Sequence, residues 1–404
     1  MYKYDILSQG DTIGNVSMTD APSIAGRAGT YIRQLAGYSA FIPKPLPPDH
    51  PPIRIDPEMQ RLLSAADGAL GRLDGSIQTL PAPSRFMFLY VRKEAVLSSQ
   101  IEGTQASLND VIKAEENLFT AVGDVGDVIN YTDAMNYGLE RLGSLPLSVR
   151  LICEIHQRLL KNVRGGKMQP GELRRSQNWI GPGGATLAEA TFVPPPPEEA
   201  GKALGDLEIF LHNKDNLPSL IKIGLAHAQF ETIHPFLDGN GRIGRLLITF
   251  FLCSEGILQK PVLYLSLFLK RHQSAYYEHL QRIRDHGDWE GWLKFFLAGV
   301  GEVARQATET ARRIVALREE HRQLIIDAFG PASGNGLRIL ERMYERPAIS
   351  VKRVADILGI SYPNANNLVR KLVDAGILHE ITGNTRNRVF WYAAYAALFS
   401  NIGD

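Results

Sequence analysis

The chain has 404 residues, 44% of them apolar and 22% charged, with a formal net charge of +1. That length suits two to three domains with real hydrophobic cores, and the near-neutral balance excludes wholesale wrapping of nucleic acid or a membrane-surface role. Two cysteines, Cys153 and Cys253, lie far apart inside apolar runs, which excludes a disulfide framework and points to a reducing compartment.

Met1-Tyr2-Lys3-Tyr4-Asp5 leads into no apolar run, so no signal peptide is expected. The longest apolar stretches, such as Leu246 to Leu252, are too short to cross a bilayer. The expectation is a cytoplasmic protein without membrane contact.

Residues 1 to about 57 read as an irregular strap that ends in a proline-dense run, Pro43 to Pro57, which cannot be a helix interior. From Asp56-Pro57 the pattern turns helical, with Met59, Leu62, Leu63, Leu70 and Leu73 near a 3.6-residue period. A second helix is predicted from Ser84 to Glu102, stopped by Gly103. Ser107-Leu108-Asn109-Asp110 reads as a cap opening a third. Helical periodicity continues through Leu147 to Leu160. It fails between Gly171 and Pro197, where Trp179-Ile180 and Thr191-Phe192-Val193 flank Gly181-Pro182-Gly183-Gly184, a pattern for a small β-hairpin or flap. Helices resume at Leu217 to Ile233 and Arg242 to Glu255, then His272 to Asp285, Trp289 to Ala298, and a polar helix from Glu302 to Phe329. Gly330-Pro331-Ala332-Ser333-Gly334 reads as a linker. The expected division is a strap and helical region over 1–110, a helical core over 111–300, a connecting helix and linker over 301–330, and a separate domain over 331–404.

His234-Pro235-Phe236-Leu237-Asp238-Gly239-Asn240-Gly241-Arg242-Ile243-Gly244-Arg245 carries the chemistry. Pro235 disfavours helical geometry at His234 and leaves the imidazole at a helix end. Gly239, Asn240 and Gly241 permit an anion nest of amide hydrogens where the next helix begins and its dipole adds positive potential. Arg242 and Arg245 are three apart on that helix and are expected to reach the same anion. Asp238 offers one carboxylate, enough for a Mg²⁺ that takes its other ligands from water and phosphates. A histidine near its ordinary pKa of about 6.5 can deprotonate a hydroxyl at neutral pH. Singly, each feature has a plainer reading: a cap, a turn, two solvated arginines. Their coincidence in twelve residues favours a polyphosphate site.

The segment matches the signature HPFx[D/E]GNGRxxR and so resembles the Fic family at every specified position. The resemblance implies a mainly α fold, a Fic-type helical core with a small β-hairpin flap, that binds ATP with Mg²⁺ and transfers AMP to a Ser, Thr or Tyr hydroxyl of a target protein, itself included. It assigns His234 as base and Asp238 to the metal. It gives the phosphates to Gly239, Asn240, Gly241, Arg242 and Arg245, with Ile243 and Gly244 in the same ATP-binding stretch. Phe236 would anchor the loop, and Tyr276-Tyr277 would sit on the adenosine side. Arg284 stands where some relatives have a hydrogen-bonding Asn. Gly171-Glu172-Leu173-Arg174 with Gln177 to Gly181 resembles the flap that pins an extended target segment by strand addition, with Trp179, Ile180, Gly181, Phe192 and Val193 as docking residues. Ser98-Ser99-Gln100-Ile101-Glu102-Gly103 resembles the family's [S/T]xxxE[G/N] inhibitory helix. Ser98 and Glu102 share a helix face, and Glu102 would compete for Arg245. Gly241, where a kinase-like relative has lysine, favours AMP transfer; removal of AMP by the same site and a DNA-binding regulator with a nucleotide-sensing core are the alternatives. His227 and His234, seven apart, are explained by packing without a metal.

The last seventy residues resemble a winged helix-turn-helix: helices around Leu337, around Val351 and from Asn364 to Ala375, then strands Ile377 to Thr382 and Arg388 to Tyr392. Residues 335–393 hold nine Lys/Arg against five Asp/Glu. Asn364, Asn366, Asn367 and Arg370 are candidates for base edges and Arg386 and Arg388 for phosphates, the alternative being a protein-binding or dimer-stabilising module. A homodimer stays open as an assembly.

Overall fold

The computed structural model describes residues 26–400, except 79, 81–82, 116–122, 164, 183 and 215–216. The first 25 residues of the expected strap, and Gly183, lie outside the described residues. From residue 29 the strap is not irregular. It opens with a hairpin, strands β1 (Gly29–Arg33) and β2 (Ser39–Pro43), in which Tyr31 pairs with Phe41. The two strands differ in burial rather than alternating: β2 packs inward through Ala40 and Phe41, both fully buried, while Tyr31 and Ile32 of β1 stay exposed. The proline run that follows is fastened by Arg27, which pairs with Glu290 at 2.7 Å and donates to the Pro51 carbonyl at 2.6 Å.

The helical part begins with α1 (Pro57–Gln78), α2 (Pro83–Ile101) and α3 (Leu108–Glu115). Ser107 opens α3 as expected, accepting from the Asp110 amide at 3.2 Å while Asp110 accepts from the Ser107 amide at 3.0 Å. Then come α4 (Asp124–Arg141) and α5 (Val149–Leu159), the latter capped by Ser148. Helix α6 (Pro197–His212) was not anticipated, because the prolines at 194–197 read only as a stop. Proline also starts helices well, its missing N–H being unpaired there in any case, and Ala200, Ala203, Leu204, Leu207 and Leu211 form the buried stripe. Next are α7 (Ser219–Ile233), α8 (Asn240–Ser254), α9 (Ser266–Arg271) and α10 (Gln273–His286). Helix α7 is buried along nearly its whole length and forms the axis of the bundle.

Helix α11 runs unbroken from Trp289 to Phe329. The two helices expected there, Trp289 to Ala298 and Glu302 to Phe329, are one, so the expected boundary at 300/301 falls within it. Gly299 lies in the gap between the two expected helices, yet packing sets its place: a Cβ there would fall 2.4 Å from the Phe268 ring. The expected linker is a short 3₁₀ turn, 330–332, leading at once into α12 (Ser333–Met343). Gly330 takes a φ of 54° to make that corner and Pro331 opens the turn.

Beyond it come β3 (Ala348–Ser350), α13 (Val351–Leu358), α14 (Tyr362–Asp374), β4 (His379–Glu380), β5 (Val389–Trp391) and α15 (Ala393–Ser400), with β5 central in an antiparallel β3-β5-β4 sheet. This is a winged helix-turn-helix. It is not detached: Phe399 packs edge-on against Tyr90 of α2 at 5.0 Å, and His321 of α11 bonds the Tyr392 hydroxyl at 2.8 Å. One continuous apolar core therefore runs from Ala28 to Phe399.

Candidate active site

Helix α7 ends at His234, whose left-handed backbone (φ 50°, ψ 59°) is unusual for a residue with a side chain. Pro235 disfavours the helical conformation, and the His234 amide still closes the helix by donating to the Phe230 carbonyl at 2.9 Å. Several buried groups then fix the loop that leads to α8. Phe236, fully buried, stacks on His156 with ring centres 3.7 Å apart. Asn240 brackets the turn, accepting from the Phe236 amide and donating to its carbonyl, both at 2.8 Å. Its side chain is thus spent on the loop, leaving only its main chain for an anion.

Two residues hold the outside of this loop: His156, which sequence reasoning did not assign, and Arg174, which it placed in the flap. His156 accepts the Gly171 amide on Nδ1 at 2.8 Å, so Nε2 carries the hydrogen and donates to the Asp238 carbonyl at 3.0 Å. Burial lowers its pKa to about 4, which keeps that tautomer neutral. Arg174, 3% exposed, donates to the carbonyls of His234 at 2.9 Å and Ile233 at 3.4 Å, and to that of Pro195. Its own amide donates to the Pro235 carbonyl at 3.0 Å.

Gly239 supplies the left-handed turn (φ 80°) before α8. Gly241 serves differently from expectation: it is helical, and its lack of a side chain makes room. A Cβ there would lie 2.3 Å from Glu102 Oε1. The Glu102 carboxylate thus rests on the N-terminal turn of α8, where helix amides and dipole favour an anion. It pairs with Arg245 at 2.6 Å, and Arg245 also donates to Ser98 through its hydroxyl at 2.8 Å and its carbonyl at 2.9 Å. Burial works against the Glu102 charge, but Arg245 outweighs it and holds the carboxyl below its ordinary value. Burial also opposes the Arg245 charge, and Glu102 more than restores it, raising Arg245 further.

The two arginines part rather than converge. Three residues along a helix is a turn of 60° short of a full circle, and each finds its own carboxylate. Arg242 lies 3.7 Å from Asp127 of α4 and 3.6 Å from Asp238. Asp238, its side chain 37% exposed, also accepts the Gly239 amide at 2.6 Å. Ile243 faces the core, 1% exposed, and Gly244 gives its carbonyl to His227 Nδ1 at 2.9 Å, so neither lines the cleft.

The cleft is a cavity of about 510 Å³ lined by Glu102, Gly241 and Arg245, by Glu231 and His234, by Tyr276, Tyr277 and Arg284 of α10, and by Ile180 and Phe192 of the flap. A volume of that order suits a small ligand. Tyr276 contributes little polar contact, since it is 1% exposed and its hydroxyl bonds His227 Nε2 at 2.9 Å; Tyr277, 47% exposed, meets the cavity more openly. The overhanging flap closes with a single antiparallel bridge, Ile180 to Phe192, rather than a ladder. Trp179 and Ile180 are exposed, whereas Phe192 and Val193 are buried and turned inward. The Val193 carbonyl is already taken by the Phe41 amide at 3.0 Å. Burial lowers His234 to about 4, with Arg284 and Arg174 adding to the effect. Its Nδ1 lies 3.4 Å from the Glu231 carbonyl, weakly favouring the hydrogen on Nδ1 and a free lone pair on Nε2.

Residues 146–252 match the Fic/DOC family and residues 60–140 match the Fic/DOC family N-terminal domain. The chain carries both Fic/DOC domains. Residues 334–379 match the winged helix-turn-helix DNA-binding family, in agreement with the C-terminal fold. Protein adenylyltransferase Fic of Drosophila grimshawi is 26% identical over 178 residues, 43% of this chain and 33% of that protein. The protein of the same name from Aedes aegypti is 33% identical over 151 residues, 37% of this chain and 27% of that one. The matches thus span about a third of these relatives' length or less. The Fic fold extends more widely: a crystal structure of a Fic family protein from Desulfovibrio desulfuricans G20 superposes with a TM-score of 0.54 at 20% identity, covering 85% of this chain and 98% of that one. Among the described residues, no helix is long and apolar enough to cross a membrane.

Proposed function

We propose that the chain is a protein adenylyltransferase that moves AMP from ATP onto a Ser, Thr or Tyr hydroxyl, held in check by Glu102. The observation that carries this is that His234 lines the same cavity as the helix N-terminus on which the Glu102 carboxylate rests. An acidic side chain on that nest marks what the nest is built to hold. With Glu102 displaced, a triphosphate would lie across Gly239 to Gly241 with its terminal phosphate on Arg245. His234 Nε2 takes the proton of the target hydroxyl, the hydroxyl oxygen bonds to the α-phosphorus, and the bond to the β-phosphate breaks to release pyrophosphate.

The donor at Asp238 fits a hard divalent cation that keeps several waters and takes its other ligands from phosphates: one carboxylate, its side chain 37% exposed. Mg²⁺ held there would neutralise phosphate charge. Gly165 keeps the space open, for a Cβ at that position would fall 2.4 Å from Asp238 Oδ2. Asp238→Ala should accordingly abolish magnesium-dependent transfer. Full activity of the variant across a Mg²⁺ titration would move the metal elsewhere.

The winged helix supports a second role beside this one, contact with DNA. Asn364, Asn367 and Arg370 lie exposed along α14, and Arg386 lies exposed on the wing loop. Arg388 is less free, donating to Asn366 at 2.7 Å, and Arg370 donates to Asn367 at 3.3 Å. The full chain should bind duplex DNA weakly, and binding should fall as salt rises, because neutralised phosphates release counterions. Failure to shift any duplex at low salt would favour a protein partner for this face. Incubation with radiolabelled ATP separates an enzyme from a DNA-binding regulator that only senses nucleotide: labelled acceptor protein supports the first, binding without label the second.

A further inference from the structure

Glu231, one turn before His234 on α7, is the buried charge that the proposed transfer leaves unused. It is 7% exposed, it lines the cavity, and its Oε1 has no hydrogen-bond partner among the described residues. Helix α8 makes room for it, since a Cβ at Gly244 would fall 2.2 Å from Oε1. Burial pushes its carboxyl up to about 7, a cost that no internal hydrogen bond offsets. Buried polar atoms are nearly always paired, so a carboxylate with an unpaired oxygen on a residue that lines a cavity points to a partner that arrives with the ligand.

The neighbourhood narrows what that partner is. Arg284, also 7% exposed, stands 3.7 Å over the Phe192 ring and donates to Thr232 at 3.3 Å and Gln281 at 3.2 Å. Among the described residues it forms no ion pair with a carboxylate. Glu231 lines the cavity under the influence of both Arg245 and Arg284, and Arg284 stacks on Phe192 of the flap. Phosphate oxygens accept hydrogen bonds and carry negative charge, so a carboxylate there cannot be meant for them. In its ionised form it can take only a donor, and a loss of ATP binding shared by inorganic triphosphate would show the protonated form donating to phosphate instead. We propose that Glu231 is a specificity-determining residue that reads a hydrogen-bond donor of the nucleoside, either a ribose hydroxyl or the exocyclic amine of the base. This rests on the nucleotide reading above.

Binding titrations on the full chain test it, with wild type, Glu231→Gln and Glu231→Ala each titrated with ATP, 2′-deoxy-ATP, 3′-deoxy-ATP, purine riboside triphosphate (which lacks the amine) and inorganic triphosphate. Glu231→Ala should weaken ATP by roughly 10- to 100-fold, as expected for a lost hydrogen bond to a charged group. It should leave inorganic triphosphate unchanged. One of the three analogues should bind wild type more weakly than ATP and be indifferent to Glu231→Ala; that analogue names the donor. Glu231→Gln keeps one acceptor oxygen and should restore most of the loss. Equal losses for ATP and inorganic triphosphate would overturn the role, leaving Glu231 a support for Arg245 or, protonated, a donor to phosphate. So would unchanged ATP affinity, or three analogues that all bind wild type as tightly as ATP, a result that stands even if Glu231→Ala fails to fold. No ATP binding by any variant, with inorganic triphosphate still bound, would remove the nucleotide reading itself and this role with it.

Discussion

Glu102→Gly should turn a slow enzyme into a markedly faster one. Arg245 cannot serve Glu102 and a terminal phosphate at once, and in the structure it is committed to Glu102 at 2.6 Å. The same carboxylate rests against Gly241, so it competes for the helix amides as well as for the arginine. ATP entering beside it must settle with its α-phosphorus out of line, and a displacement of about 1 Å can cost 100-fold in rate. The gain should therefore appear mainly in turnover and self-labelling, with a smaller change in ATP affinity. Arg245→Ala should stay slow, alone or combined with Glu102→Gly, because the terminal phosphate then has no clamp. The Ser98 contacts with Arg245 would be lost in that variant too, so a thermal melt should accompany the assay. AMP incorporation by the single and double variants, measured side by side, checks the series. A double variant as fast as Glu102→Gly would show that Arg245 is not what Glu102 blocks.

His234→Ala in the Glu102→Gly background should lose transfer by about 100- to 10,000-fold, the usual cost of removing a general base, while ATP still binds. The pH dependence carries a finer expectation. Burial places the free protein's His234 near 4 rather than at the ordinary histidine value. The base works when deprotonated, so kcat/KM, which reports the free enzyme, should hold down to mildly acidic pH and fall only as pH drops towards 4. An acidic limb near 6.5 would mean that the cleft leaves His234 hydrated enough to titrate as an ordinary histidine.

The two ends of this account were unequally legible in the sequence. The His234 to Arg245 segment could be read because its chemistry is local: Pro235 sets the histidine, Gly239 the turn, and α8 the arginine. What holds it in place could not, because His156 meets Asp238 across 82 residues and Arg174 meets His234 across 60. No periodicity encodes such contacts. Arg242 and Arg245 looked alike at helical spacing, yet α4 presents Asp127 to one, while Ser98 of α2 and Glu102 in the turn just after it meet the other. Helix α6 was hidden by proline's double meaning, and the continuity of α11 runs through Gly299, whose place is set by close packing on Phe268 rather than by a turn. The flap pattern was visible, but Phe192 and Val193 read as docking surface because alternation cannot tell which face of a one-bridge hairpin turns inward.

The most direct test of the central claim compares ATP labelled at the α-phosphate with ATP labelled at the γ-phosphate, using the Glu102→Gly protein and its His234→Ala double variant. The account predicts protein-bound label from the α position only, in the first protein and not the second. Label from the γ position, or equal α-label in both proteins, would contradict it.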